Sequence, residues 1–175
     1  MLIFRPSKSG YWSKCAAYVA LTKDYPEQSN DAALEGTAIM SVIESVINGD
    51  AHSAIDYEGE THRNGWLITR DMCDDAQEFI NWLDGFNSNE GELISEQHVT
   101  AADGENGEPH IAGMLDVRTI THNYLPEAGI PLGSSVLHII DFKYGHRTVE
   151  VKDNPQLIIY AYGEAKRIGL SLIHI

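Results

Sequence analysis

The sequence predicts an α/β protein: a mixed sheet flanked by helices. Three observations carry this. Helix signals fill the first half, to about Phe86. Three strand signals follow, between Leu93 and Lys143. A well-marked helix start at Asn154-Pro155 then leads to a last apolar run, Leu170–Ile175. The order helices, three strands, helix, strand is that of helices packed on a sheet. At 175 residues the chain suits one domain, 1–175, with residues 1–30 as a helical lead-in.

The elements justify themselves in order. Trp12–Leu21 reads as a short helix, and Thr22–Asn30 as a polar stretch. Asn30 can cap a helix whose first turn holds Asp31 and whose apolar stripe is Leu34, Ala38, Val42 and Val46; Gly49-Asp50 ends it. Residues 50–65 read as loop. Asp71–Phe86 reads as a second long helix, with Met72, Ala76, Phe79, Ile80 and Leu83 on one side. Leu93–Thr100, Ile111–Thr121 and Val136–Lys143 are the strands. Residues 101–110 form a turn, and Tyr124–Ser135, with two Pro and two Gly, a loop. Asn as cap and Pro at the first helical position open a helix that runs to Ile168, where Gly169 stops it.

Composition excludes several classes. With 43% hydrophobic and 22% charged residues the chain is not wholly disordered. Apolar runs such as Val136–Ile140 are too short to span a bilayer, and the N-terminus lacks signal-peptide regions, so no membrane association is expected. Cys15 and Cys73 are the only cysteines, which fits a reducing cytoplasm and cannot supply a four-cysteine iron–sulfur cluster. The net charge of −14 excludes a uniformly basic nucleic-acid coat. Residues 71–117 hold twelve acids and no Lys or Arg, whereas residues 143–167 hold five basic and three acidic residues. A polyanion is therefore expected near Lys143, Arg147 and Lys152, with residues 71–110 facing away.

The chemistry concentrates in Val-Leu-His-Ile-Ile-Asp-Phe-Lys-Tyr-Gly, residues 136–145. Strand alternation points Asp141 and Lys143 the same way and Phe142 the other. A strand-end ion pair would explain them; so would a site, because charge at the end of an apolar strand needs a partner or a task. Asp116 lies in a second apolar pattern, Ala-Gly-Met-Leu-Asp-Val. If the two strands pair, the carboxylates meet as hard oxygen donors suited to Mg2+ or Mn2+. Gly113 permits close backbone approach. Gln156 and Tyr160 share a helix face, which could equally be a partly exposed surface.

Together Gly-Met-Leu-Asp (113–116), Ile-Ile-Asp-Phe-Lys-Tyr-Gly (139–145), Gln-Leu-Ile-Ile-Tyr-Ala (156–161) and the helix opening Leu-Glu-Gly-Thr (34–37) resemble the RecB-like branch of the PD-(D/E)XK nuclease superfamily, and within it phage-encoded RecB-like proteins. The resemblance covers about residues 11–175. It implies a restriction-endonuclease-like core, with Asp116, Asp141 and the Phe142 carbonyl as metal ligands. Lys143 would orient the attacking water and offset charge on the phosphate. Gln156 and Tyr160 would support the site and touch DNA. It further implies a Mg2+- or Mn2+-dependent deoxyribonuclease in the bacterial host cytoplasm, acting in recombination or end processing, with DNA and a phage recombination protein as partners.

One position departs from that pattern. Four residues after the helix glycine the branch usually carries His or Glu; here it is Met40, whose thioether suits hard cations poorly. Glu44, one turn on, is the candidate replacement, and Glu35 is less well directed. The competing class is a weak or inactive protein on the same fold that binds DNA or protein as a scaffold. His138 and His146 are read as ordinary strand and loop residues, and Trp12, Trp66 and Trp82 as packing residues.

The last six residues, Leu-Ser-Leu-Ile-His-Ile, translate CTGTCTCTTATACACATC, the transposase mosaic end of sequencing adapters. Residues 170–175 are therefore expected to be an adapter-derived tail on a C-terminally truncated chain; a genuine last strand fits the composition too.

Overall fold

A computed structural model describes residues 3–15, 17–25, 29–87, 92–122, 135–145 and 149–170. The 171–175 part of the expected last strand, most of the 124–135 loop, His146 and Arg147 lie outside the described residues.

The chain enters extended, and Phe4 makes an isolated parallel bridge to Ile111. A 3-10 turn, Pro6–Lys8, runs into α1 (Ser9–Trp12), and α2 (Tyr18–Thr22) follows. The single helix expected over Trp12–Leu21 is thus two short ones. Ser9, Gly10 and Ser13 are weak helix formers, and the first helix ends after one turn.

In α3 (Asp31–Ile47) the Asn30 side chain accepts from the Ala33 amide at 2.9 Å, the expected cap. Its buried stripe is Ala38, Ile39, Val42 and Ile43, rotated from the one expected, with Leu34 and Val46 half-buried. The 50–65 stretch is not all loop. Ala54–Tyr57 forms a 3-10 turn closed by a Ser53–Asp56 capping box, and Gln77 Oε1 ties it to α4 (Arg70–Asn87) by accepting from the Ser53 hydroxyl and the Ala54 amide. Helices α3 and α4 share a core of Ile39, Val42, Ile43, Met72, Ala76 and Ile80, onto which Phe142 and Tyr144 pack.

The sheet has strand order β1-β2-β3: β1 (Glu92–Asp103), β2 (Pro109–His122) and β3 (Ser135–Ile140). Both pairings are antiparallel, so the expected mixed sheet becomes an antiparallel one among the described residues. The short turn between Asp103 and Pro109 permits nothing else for β1 and β2. The third strand ends at Ile140, not Lys143. Beyond the Val117–Ile140 pair, the Phe142 amide donates to the Asp116 carboxylate at 2.9 Å, where a ladder bond would otherwise go.

As expected, α5 (Pro155–Ile168) opens on the Asn154 cap, which accepts from the Gln156 amide, and closes at Gly169 in the left-handed region (φ 73°). It lies hard against β1, where a methyl at Gly163 would stand 2.4 Å from Val99 Cγ1 and 3.1 Å from Ala101 Cα. Fully buried Glu164 sits 2.7 Å from Arg118 Nε of β2, itself 3% exposed, and takes two hydrogen bonds from Arg167. No helix among the described residues is long and apolar enough to cross a membrane.

Candidate active site

Antiparallel pairing of β2 with β3 brings Asp116 beside the segment that follows Ile140. That segment leaves the ladder, and Asp141 and Lys143 still meet. Lys143 Nζ is 2.5 Å from Asp141 Oδ2, with Asp141 7% exposed and Lys143 45%. On the other side of Asp141, Gln156 Nε2 donates to its Oδ1 at 2.8 Å. One turn along α5, Tyr160 is buried against Val99 and Leu115. A side chain at Gly113 would meet the Tyr160 hydroxyl at 3.1 Å and Pro6 at 2.9 Å, so a glycine is what lets that tyrosine reach the cleft.

Two cavities meet at Asp116 and Lys143. One, of about 490 Å³, is lined by Asp116, Asp141, Lys143, Gln156 and Tyr160, together with His98 and Arg5. The other, of about 360 Å³, is lined by Asp116, Phe142 and Lys143 with Met40, Glu44, Arg63 and Glu96. Met40 and Glu44 therefore both stand in the cleft, as their helical spacing predicts. Lys152 does not line either cavity; it is exposed in the turn before α5.

Electrostatics are those of crowded, partly desolvated carboxylates. Burial first, then the Asp141 charge, push the Asp116 carboxyl up to about 6; Lys143 and the Phe142 amide pull against this. Burial and then Glu96 raise Glu44, opposed by Arg63. Burial, followed by the charges of Asp116 and Asp141, pushes the Tyr160 hydroxyl up to about 12, so it acts as a neutral hydrogen-bonding group.

Sequence reasoning missed Glu96. It lies opposite Asp116 in the register, between the Ser95–Val117 and Gln97–Leu115 pairs, and has φ 48°, a conformation strained for a residue with a side chain. It also overturns the expectation that residues 71–110 face away, because Glu96 and His98 both line the cleft. A lone acid in a predicted strand gives no hint of this; only the register does.

Hard oxygen donors with excess negative charge fit a divalent cation. Among the described residues no three His, Cys, Asp or Glu side chains are gathered into a ready-made cage.

Fold and cleft define an α/β protein with paired carboxylates and a lysine at a sheet end. Residues 3–172 match the family described as protein of unknown function (DUF2800), so the chain belongs to that family. No curated protein and no solved structure matches it.

Proposed function

We propose that the protein is a metal-dependent DNA nuclease with a restriction-endonuclease-like core of the RecB-like PD-(D/E)XK type. The observation that carries this is the convergence on Asp141: Lys143 on one oxygen, Gln156 on the other, and Asp116 tied to the intervening strand end through the Phe142 amide. Asp116, Asp141 and the Phe142 carbonyl would hold Mg2+ or Mn2+, with Glu44 and Glu96 facing them from the neighbouring cavity. The metal supplies a lowered water pKa and neutralises phosphoryl oxygens.

The chain's own residues do the rest. Lys143, half in solvent, can neutralise charge that builds on the phosphate. Gln156 fixes the Asp141 carboxylate, and Tyr160 offers a hydroxyl that stays protonated. Arg147, outside the described residues, and exposed Lys152 remain candidates for more distant backbone contacts.

The test is degradation of end-labelled DNA by the purified chain with Mg2+ or Mn2+ and with EDTA. Metal-dependent cleavage lost in a folded Asp141→Ala variant supports the proposal; equal cleavage by that variant overturns it. Met40 in the cleft favours a second reading, a weak metal site on a DNA- or protein-binding scaffold. Binding without cleavage at saturating Mn2+ would select it.

A further inference from the structure

The N-terminal lobe adjoins the cleft. Ile3 and Arg5 line the cavity that holds Asp116 and Asp141, and the same two residues line a neighbouring cavity of about 370 Å³ together with Lys8, Trp12, Tyr18, Lys23 and Tyr25. The charge there is opposite to that of the whole molecule. Residues 1–25 contain four Lys and Arg and a single acid, Asp24, in a chain of net charge −14. Asp24 lies 4.0 Å from Lys23 with both side chains exposed, a pairing of little weight, and the next acid in the sequence is Glu27.

The lobe also shows aromatic surface. Tyr25 is 75% exposed and Tyr11 61%, and Tyr11 stacks on Tyr18 at 5.3 Å between ring centroids. Cations beside exposed aromatic rings, Tyr25 above all, are what a strand of nucleic acid needs: phosphates on Lys and Arg, base faces on the rings. A duplex hides its base faces, and an acidic peptide has none.

We propose that residues 3–25 bind a single-stranded polynucleotide and lead it past Arg5 into the cleft between Asp116, Asp141 and Lys143. The destination rests on the nuclease reading; the binding does not, because it needs neither metal nor cleavage. It also moves the main nucleic-acid surface from Lys152 and the start of α5 to the N-terminal lobe.

The experiment is fluorescence anisotropy of a labelled oligothymidylate with the full chain in EDTA, beside a duplex of equal length and a polyglutamate competitor. The expected result is binding at least about tenfold tighter to the single strand than to the duplex. Lys23→Glu combined with Lys8→Glu should weaken it about tenfold or more, and Tyr25→Ala several-fold, the scale of one lost base stack. Lys152→Glu should change it little. Lys23→Glu with Lys14→Glu, both exposed, serves as a second reversal if the first pair perturbs folding. Equal affinity for duplex, displacement by polyglutamate as effective as by DNA, or indifference to the reversals overturns the proposal. Binding with these dependences but no metal-dependent cleavage would sink the nuclease reading alone. Cleavage that persists unaltered in the reversal variants would sink this one alone.

Discussion

Asp116 shows how a single residue records the tension in the cleft. Its carboxyl is held at about 6, against 3.8 in a solvated chain, by burial and by the neighbouring Asp141 charge. For an acid, a raised folded-state value means that the folded protein binds more protons between about pH 4 and 6. Stability should therefore fall as pH rises through that window, and the full penalty stays in force above it. Asp116→Asn keeps a hydrogen-bond acceptor for the Phe142 amide and removes the charge. In EDTA it should melt higher than the parent above pH 6, by at most roughly 3 kcal/mol at 1.36 kcal/mol per unit, and no differently below pH 4. Thermal melts from pH 4 to 8 check this; a parent curve flat across the window would contradict it. Lys143 yields a different kind of prediction. Its side chain is half exposed, so Lys143→Ala should still fold, melting below the parent because the buried Asp141 loses its ion pair, and on the nuclease reading cleavage should fall about a hundredfold or more, the usual cost of losing a transition-state charge partner. Periods of two and 3.6 put Asp141 with Lys143, and Gln156 with Tyr160, on common faces in the sequence; only the family resemblance joined the two pairs to Asp116 as one site. Glu96 was not legible there, because its place depends on a strand register and a positive φ that no local pattern encodes.

Among the elements, α5 brings Gln156 and Tyr160 to the site, and two adjacent residues set its height above the sheet. Gly163 gives the close approach to β1: a methyl there would meet Val99 and the Ala101 backbone. Gly163→Ala should cost about 1–3 kcal/mol by overpacking and, by lifting Gln156 from Asp141, should reduce cleavage as well. Denaturant melts and rates on the same preparation test both effects, and a variant as stable as the parent would show that the helix has room. Glu164 is the electrostatic counterpart. Removing it leaves Arg118, 3% exposed, without the carboxylate 2.7 Å away, so Glu164→Ala should destabilise by about 3–5 kcal/mol. The α5 boundaries were readable because Asn154, Pro155 and Gly169 are local signals with local causes. The antiparallel sheet was not, since strand direction depends on which strands pair. Nor was the end of β3 at Ile140, because its cause is the Asp116 side chain, distant in sequence.

At the scale of the whole molecule the candidate metal site draws on four parts of the chain, three of them neighbours in the sheet. Glu44 comes from α3, Glu96 from β1, Asp116 from β2, and Asp141 from the segment after β3; the first three share one cavity, and Asp116 shares the other with Asp141. The α/β class was visible in the sequence. The basic lobe at residues 1–25 was passed over because its four cations are diluted in a chain of net charge −14. A cation bound where these elements converge would be bound by the folded state alone, so it must stabilise the fold by mass action. At a hundred times its Kd the gain is about 2.7 kcal/mol. For a chain of this length each kcal/mol moves Tm by roughly 2–4 °C, so Mn2+ should raise Tm by about 5–10 °C over EDTA. Asp141→Ala should abolish the rise, and Glu44→Ala should reduce it if α3 supplies a ligand. Met40→His should enlarge it, because imidazole serves Mn2+ better than a thioether. Calorimetry with Mn2+, Mg2+ and EDTA reads all four proteins without reference to cleavage. An equal rise in the parent and in Asp141→Ala would mean that the cation binds elsewhere, and no rise in any of them would leave the carboxylates at the sheet end without a metal to hold.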